Sequence, residues 1–207
     1  MPLAKPTDSS SHATSPTLVG RVQANEQAAW QRLVDLYGPL IFSWARRGRL
    51  SSDDAADVMQ EVFAAVAQAI RRFDPAGRGR FRGWLWTITR NKIRDHHRRL
   101  AAEPEGRGGD TAVRELAELP AEWDDDSSNA TRHEVRALFH RALQMIRNDF
   151  EPQTWQAFWL SVVDEQPTDA IARQLGLSAN GVRQAKSRVL RRLRAELGDG
   201  ASPGSSE

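Results

Sequence analysis

The chain contains no cysteine. Disulfides and thiolate metal sites are therefore excluded, and the composition fits a reducing compartment such as the cytoplasm. No apolar run approaches the length of a membrane span, so no membrane insertion is expected. The opening stretch, MPLAKPTDSSSHATSPT, lacks the apolar centre of a secretory signal. Residues 1–17 read as a disordered leader and 198–207 as a disordered tail. Alternation of β-branched residues is missing throughout, which points to an all-α chain, and no internal repeat is visible. Hydrophobic residues make up 40% of the 207. That is enough for modest cores, and the length allows one or two domains.

What is present is charge, in blocks. The formal net charge of +2 hides the pattern. From Arg71 to Arg99 ten Lys/Arg stand against two acids, Asp74 and Asp95. From Glu103 to Asp126 nine acids stand against two arginines. From Arg173 to Arg194 seven residues are basic and none is acidic. Two segments suit nucleic acid, and the one between them would be repelled by it.

The last basic block carries a local pattern. Thr168–Arg194 reads as a helix-turn-helix. Ile171, Ala172, Leu175, Leu177, Val182 and Ala185 fit two short helices packed across a tight turn. Thr168 is the expected cap of the first helix. Gly176 falls at its C′ position, where left-handed backbone costs least. Ser178 is the expected cap of the second. An arginine-rich terminal helix is commonly just a solvated face. Here the caps, the small residue and the glycine all stand in register before it. Asn180, Arg183, Gln184 and Ser187 are the expected base readers. Arg188, Arg191 and Arg192 are expected on phosphates, with Lys186 on the same cationic surface.

Upstream, residues 18–48 carry apolar positions at helical spacing, with a break near Ala24-Asn25. Ser51–Asp54 is a cap cluster opening a helix to about Arg72, with Ala55, Val58, Val62, Val66 and Ile70 on its apolar side. Asp54, Asp57 and Glu61 fall on another face, near the end where anions are favoured. Residues 74–79 form a loop by composition. A helix from about Phe81 to Leu100 interleaves aromatics and cations. Phe81, Leu85, Ile88 and Trp84 are its expected buried stripe. Arg82, Trp86, Thr89, Arg90, Lys92 and His96 are its expected surface, a composition suited to unstacked bases. Residues 101–130 read as a flexible acidic linker, and helices are expected at about 131–147 and 152–163.

An enzyme is the rival of another class. His96 and His97 are adjacent and cannot both face one metal, and Arg136 stands between His133 and His140. Asp124–Asp126 reads as a solvated run. No phosphate-cradling glycine loop follows a strand. No catalytic residue, cofactor or metal is expected.

The ordered residues resemble the extracytoplasmic-function sigma factors of bacterial RNA polymerase. The first part carries Asp54-x-x-Asp57-x-x-Gln60-Glu61-x-Phe63, then Arg72-Phe73-Asp74-Pro75. Phe81-Arg82-x-Trp84-Leu85-x-x-Ile88-x-Arg90-Asn91 and Asp95-x-x-Arg98-Arg99 follow. This is similar to the family's region 2, at 18–100. Residues 131–197 are similar to region 4, with the helix-turn-helix at 168–194. The resemblance implies two small helical domains, contact with core polymerase through its β′ clamp and β flap, and promoter DNA as ligand. It implies clamp contact by Asp54, Asp57, Gln60 and Glu61. It implies −10 recognition by Phe73, Arg80, Arg82, Trp86, Arg90 and Asn91, and −35 recognition by the cationic helix. An anti-sigma factor is a further implied partner, and the free protein is expected to be a monomer. The linker's 30 residues could extend to roughly 100 Å at about 3.3 Å each, about three duplex turns at roughly 34 Å. In the family this segment threads the polymerase's RNA channel, so Asp124, Asp125 and Asp126 are expected to mimic RNA. Gly181 departs from the family's usual threonine, at about 1 kcal/mol of helix propensity. The alternatives are a stand-alone helix-turn-helix regulator that binds duplex DNA without polymerase, and an adaptor with no DNA contact. The first leaves the basic aromatic helix without a reason, and the second leaves the cationic recognition helix unexplained.

Overall fold

The computed structural model describes residues 17–74, 81–102 and 129–197. Residues 1–16, 75–80, 103–128 and 198–207 lie outside these, and with them the expected leader and tail, Arg80 and nearly all of the expected loop at 74–79, and most of the linker, including Asp124–Asp126. Helix α1 (Leu18–Gln23) opens at Thr17, whose hydroxyl accepts from the Gly20 N–H at 3.1 Å. Asn25 turns the chain with a φ of 61°, at the expected break, into α2 (Gln27–Arg47). Ser51 caps α3 (Ser52–Ala69) by accepting from the Asp54 N–H at 3.1 Å. Asp53 and Asp54 in its first turn complement the helix dipole. The helix tightens into a 3₁₀ turn at Ile70–Arg72. Gln23 of α1 donates to the carbonyls of Ile70 and Phe73 at 2.9 and 2.7 Å and so fixes where that turn ends.

Helix α4 (Phe81–Ala102) lies on α2 and α3. At the end of α2 a Cβ on Gly48 would stand 2.9 Å from Ile93 Cγ2, so glycine there lets α4 approach. The Gly48 carbonyl meets the buried His97 ring at 2.9 Å. The second half comprises α5 (Asn129–Ile146), a 3₁₀ turn at Arg147–Asp149, α6 (Pro152–Val162), α7 (Thr168–Leu175) and α8 (Ala179–Leu197). Pro152 stands at the first helical position of α6, where its missing N–H costs nothing. Among the described residues every regular element is helical, and no helix is long and apolar enough to cross a membrane.

The core is built on α2. Leu33, Leu36, Tyr37, Ile41 and Trp44 are all buried, against Val58, Val62 and Val66 of α3 and Phe81, Leu85 and Ile93 of α4. The same cluster runs on into the second half through Leu138, Ile146, Phe158, Val189, Leu193 and Leu197. A smaller cluster of Ala157, Leu160, Ile171, Val182 and Ala185 sits inside α6–α8.

Candidate nucleic-acid interface

The helix-turn-helix is α7 and α8. Its first cap differs from expectation. Thr168 is already helical, and Pro167 is the N-cap with no side-chain bond. Proline's fixed φ, −60° here, presets the entry, and the Pro167 carbonyl accepts from the N–H groups of Ala170 and Ile171. The turn itself is as expected. Gly176 has a φ of 64°, and the Leu177 N–H returns to the Ala172 carbonyl at 2.9 Å. Ser178 accepts from the Gly181 N–H at 3.0 Å. A Cβ at Gly181 would come within 3.3 Å of that hydroxyl, so glycine leaves the cap room. The Gln153 side chain donates to the Leu175 carbonyl at 2.8 Å, tying α6 to α7.

Burial divides α8 cleanly. Val182, Ala185, Val189 and Leu193 face inward. Asn180, Arg183, Gln184, Lys186, Ser187, Arg188 and Arg191 are all exposed. Arg192 was expected on phosphate and is not placed for it. Its Nε donates to Asp149 at 2.9 Å, and its Nη1 grips Glu196.

Helix α4 corrects the sequence reading more strongly. Trp86, Arg82 and Thr89, expected at the surface, are buried at 4%, 7% and 0% exposure. The Trp86 ring meets Trp44 edge-to-face with centroids 5.3 Å apart. The Thr89 hydroxyl bonds back to the Leu85 carbonyl at 2.8 Å. The cause is packing on more than one side. With α2 and α3 both against it, the buried stripe of α4 widens to include 82, 86, 89, 93 and 97. Trp84 is the accessible tryptophan. It is half-buried, with its centroid 5.0 Å from Phe73 and 5.6 Å from Phe81. Phe73 and Trp84 therefore present the aromatic surface that Trp86 was expected to supply. Trp84 was missed because an isolated helix offers no signal for a second packing side.

Asn91 is exposed and Arg90 half-buried. Burial, and then repulsion from Arg94 one turn on, holds the Arg90 guanidinium below its usual range. An anion would relieve that crowding. On α3, Asp57 and Gln60 are exposed, while Asp54 and Glu61 are half-buried. Glu61 accepts from Arg99 at 2.8 Å and pairs with Lys92 at 3.3 Å. The Arg99 hydrogen bond is the main reason its carboxyl lies below the ordinary range. His96 stands 3.5 Å from Asp54. The expected surface residues Lys92 and His96 are thus partly engaged by α3. A groove of about 770 Å³ opens between α5 and α6, floored by Leu143, Phe150, Trp155 and Trp159 with Arg147 and His140 at its lining. Among the described residues no three His, Asp or Glu side chains gather in a metal-binding group.

Comparison with known proteins identifies the frame in which these surfaces work. The chain matches Sigma-70 region 2 over residues 33–103 and Sigma-70, region 4 over 151–193. It is 30% identical over 179 residues to the ECF RNA polymerase sigma factor ShbA of Streptomyces griseus, an alignment covering 84% of this chain and 90% of that one. The chain belongs to the extracytoplasmic-function sigma factors. This sigma factor is also 26% identical over 198 residues to the ECF sigma factor BldN of Streptomyces coelicolor, covering 95% of this chain and 71% of that protein. It is 35% identical over 81 residues to the RNA polymerase sigma factor CnrH of Cupriavidus metallidurans, covering 39% and 41% of the two chains. The solved structure of CnrH in complex with the cytosolic domain of CnrY aligns at a TM-score of 0.36 and 23% identity, over 86% of this chain and 93% of that one. As a sigma factor, the protein directs RNA polymerase to promoters, with core polymerase and promoter DNA as its partners. The stand-alone regulator and adaptor readings give way to that function.

Proposed function

We propose that the three exposed surfaces divide the work of promoter recognition and opening, within a region 2 unit at 18–100 and a region 4 unit at 131–197. The face of α3 carrying Asp54, Asp57, Gln60 and Glu61 meets the β′ clamp. The end of α8 enters the −35 major groove, with Asn180, Arg183, Gln184 and Ser187 toward base edges and Lys186, Arg188 and Arg191 toward phosphates. The aromatic pair Phe73 and Trp84, with Arg80, Arg90 and Asn91, holds the −10 non-template strand. A base that leaves the stack costs a few kcal/mol, and stacking on an aromatic ring returns about 1–3 kcal/mol per base. The aromatic-floored groove between α5 and α6 receives an apolar element of the β flap. The acidic segment around Asp124–Asp126 runs along the polymerase's RNA channel. The protein is a cytoplasmic monomer when free and is held in check by a separate anti-sigma protein.

The observation that carries this reading is the exposed row of polar and cationic side chains on α8 behind a left-handed glycine turn. The decisive experiment is run-off transcription with purified core polymerase on pooled promoter fragments, with wild type and with Arg183→Ala. New discrete transcripts that depend on the protein, and that Arg183→Ala weakens by promoter class, are expected. Transcripts indifferent to every substitution on α8 would overturn the −35 assignment.

A further inference from the structure

The turn that leads into Phe73 is held from outside its own helix. Gln23, the last residue of α1, sits half-buried against the 3₁₀ turn at Ile70–Arg72. Its side-chain amide donates to the Ile70 carbonyl at 2.9 Å and to the Phe73 carbonyl at 2.7 Å. An amide NH2 has two protons to give, and this one uses both on the two ends of a single turn. The Phe73 N–H also returns to the Ile70 carbonyl, at 3.1 Å. The backbone of residues 70–73 is thereby closed into one bracket. Helix α1 is a firm support for it, since Leu18, Val19 and Val22 are all buried and Thr17 caps the first turn. It lies upstream of residues 33–103, where the match to Sigma-70 region 2 runs, and none of the three proposed surfaces includes it.

What the bracket fixes is the point where the helix stops and the Phe73 side chain is presented. Phe73 leaves the turn with extended backbone, φ −71° and ψ 122°. Its ring stands edge-on to Phe81, with centroids 5.5 Å apart, and is tilted by 40° against Trp84 at 5.0 Å. Phe81 is itself buried and packs edge-to-face on Tyr37 at 5.2 Å, so one side of the Phe73 ring is seated on the core. Ring packing alone does not fix the backbone beneath it. The last carbonyls of a helix have no partner within the helix, and Gln23 supplies one to the carbonyl at each end of this turn. Without it the Phe73 carbonyl would turn to water, and the ring would sample more than one position against Trp84. A surface that must be ordered at the moment of capture loses part of its binding gain to that ordering. We propose that Gln23 is a positioning residue for strand capture. Through the carbonyls of Ile70 and Phe73 it holds the Phe73 ring beside Trp84, and so couples α1 to promoter opening.

This role rests on the reading of Phe73 and Trp84 as the −10 strand surface, and the test separates the two. Gln23→Leu keeps much of the side chain's bulk and removes both donors, whereas Gln23→Lys offers the three donors of an ammonium. Each is compared with Phe73→Ala and with the double variant Gln23→Leu/Phe73→Ala. The readout is permanganate reactivity of unpaired thymines at the −10 element, with polymerase saturating. Gln23→Leu should lower open-complex yield roughly 5- to 30-fold, the loss of one to two ordinary hydrogen bonds. Gln23→Lys should recover most of it. The double variant should open DNA no worse than Phe73→Ala alone, because Gln23 acts only through that ring. Affinity for core polymerase and for −35 duplex should match wild type. Circular dichroism should show a folded protein at the assay temperature, with Leu18, Val19 and Val22 still anchoring α1. Should Gln23→Leu unfold there, Gln23→Glu carries the same comparison, since it keeps the shape and turns acceptors toward both carbonyls. Normal opening by Gln23→Leu beside a defective Phe73→Ala would overturn the positioning role and leave the strand-capture reading standing. Additive losses in the double variant, or no recovery with lysine, would overturn it as well. Normal opening by Phe73→Ala would overturn both.

Discussion

Replacing Trp86 with alanine should cost stability first, and replacing Trp84 should cost promoter opening first. Trp86 is only 4% exposed and packs edge-to-face on Trp44. Truncating a buried tryptophan costs about 3–5 kcal/mol, a large share of a typical stability of about 5–15 kcal/mol. At roughly 2–4 °C per kcal/mol for a chain of this size, the melting midpoint should fall about 6–20 °C. Trp84 is half-buried beside Phe73. Its removal gives up only part of a burial term of about 1.5–3 kcal/mol. If it holds a displaced base, the lost stacking of about 1–3 kcal/mol lowers open-complex yield roughly 5- to 150-fold. Thermal melts followed by circular dichroism give the first quantity. Permanganate reactivity of unpaired thymines at the −10 element, with polymerase saturating, gives the second. A Trp86→Ala protein that melts like wild type but fails to open DNA, beside a Trp84→Ala protein that opens normally, would refute the exchange of roles.

The other predictions follow from single contacts. Ser178→Ala should destabilise by about 1 kcal/mol, the usual worth of an N-cap, read by urea denaturation. Gly176→Ala should cost a similar amount, about 1 kcal/mol, through backbone strain alone, because a Cβ there meets nothing within 4 Å; a neutral result would remove the strain argument. Arg188→Ala and Arg191→Ala should each lower the slope of log affinity against log salt by about 1 while leaving sequence preference intact. Glu61 has a folded-state pKa below its ordinary 4.5. Its contribution is therefore present above that value and lost as pH falls through the lowered one, and Glu61→Gln should flatten the acid limb of the stability profile in that window. The gain is small, since the side chain is 33% exposed and solvent screens it.

The helix-turn-helix was legible because its signals are local. Gly176, Ser178 and the apolar positions of α8 act within a few residues of one another, and each found its expected role. Thr168 failed as a cap for an equally local reason, since the proline before it set the helix entry. The face of α3 was legible by the same logic, with apolar positions inward and Asp57 and Gln60 outward. On α4 the period was right and the width of the buried stripe wrong. Periodicity shows that a helix has an inner face, and only its neighbours decide how broad that face is. The interleaved aromatics and cations could be divided correctly only once α2 and α3 were in place.

Helix α2 shows the harder limit. Arg32, Ser43 and Arg47 are polar positions on the amphipathic α2, and nothing nearby in sequence marks them as long-range contacts. Their partners are Glu134 and Glu196, 91 and 164 residues away in the cases of Ser43 and Arg32. Ion pairs of that separation leave no periodic trace, and both glutamates sit in helices where an exposed acid would be unremarked. The difference matters for function because the two kinds of surface behave oppositely under substitution. A solvated charge can be replaced at a cost within about 0.5 kcal/mol. A buried carboxylate stripped of its cation is destabilising by about 3–5 kcal/mol. Arg32→Ala leaves Glu196 with Arg192 alone, so it should cost part of that penalty and more than a solvated charge would, a difference that thermal melting of the free protein reads. A melting midpoint unchanged from wild type would mean that the Arg32–Glu196 pair contributes no more than a solvated one.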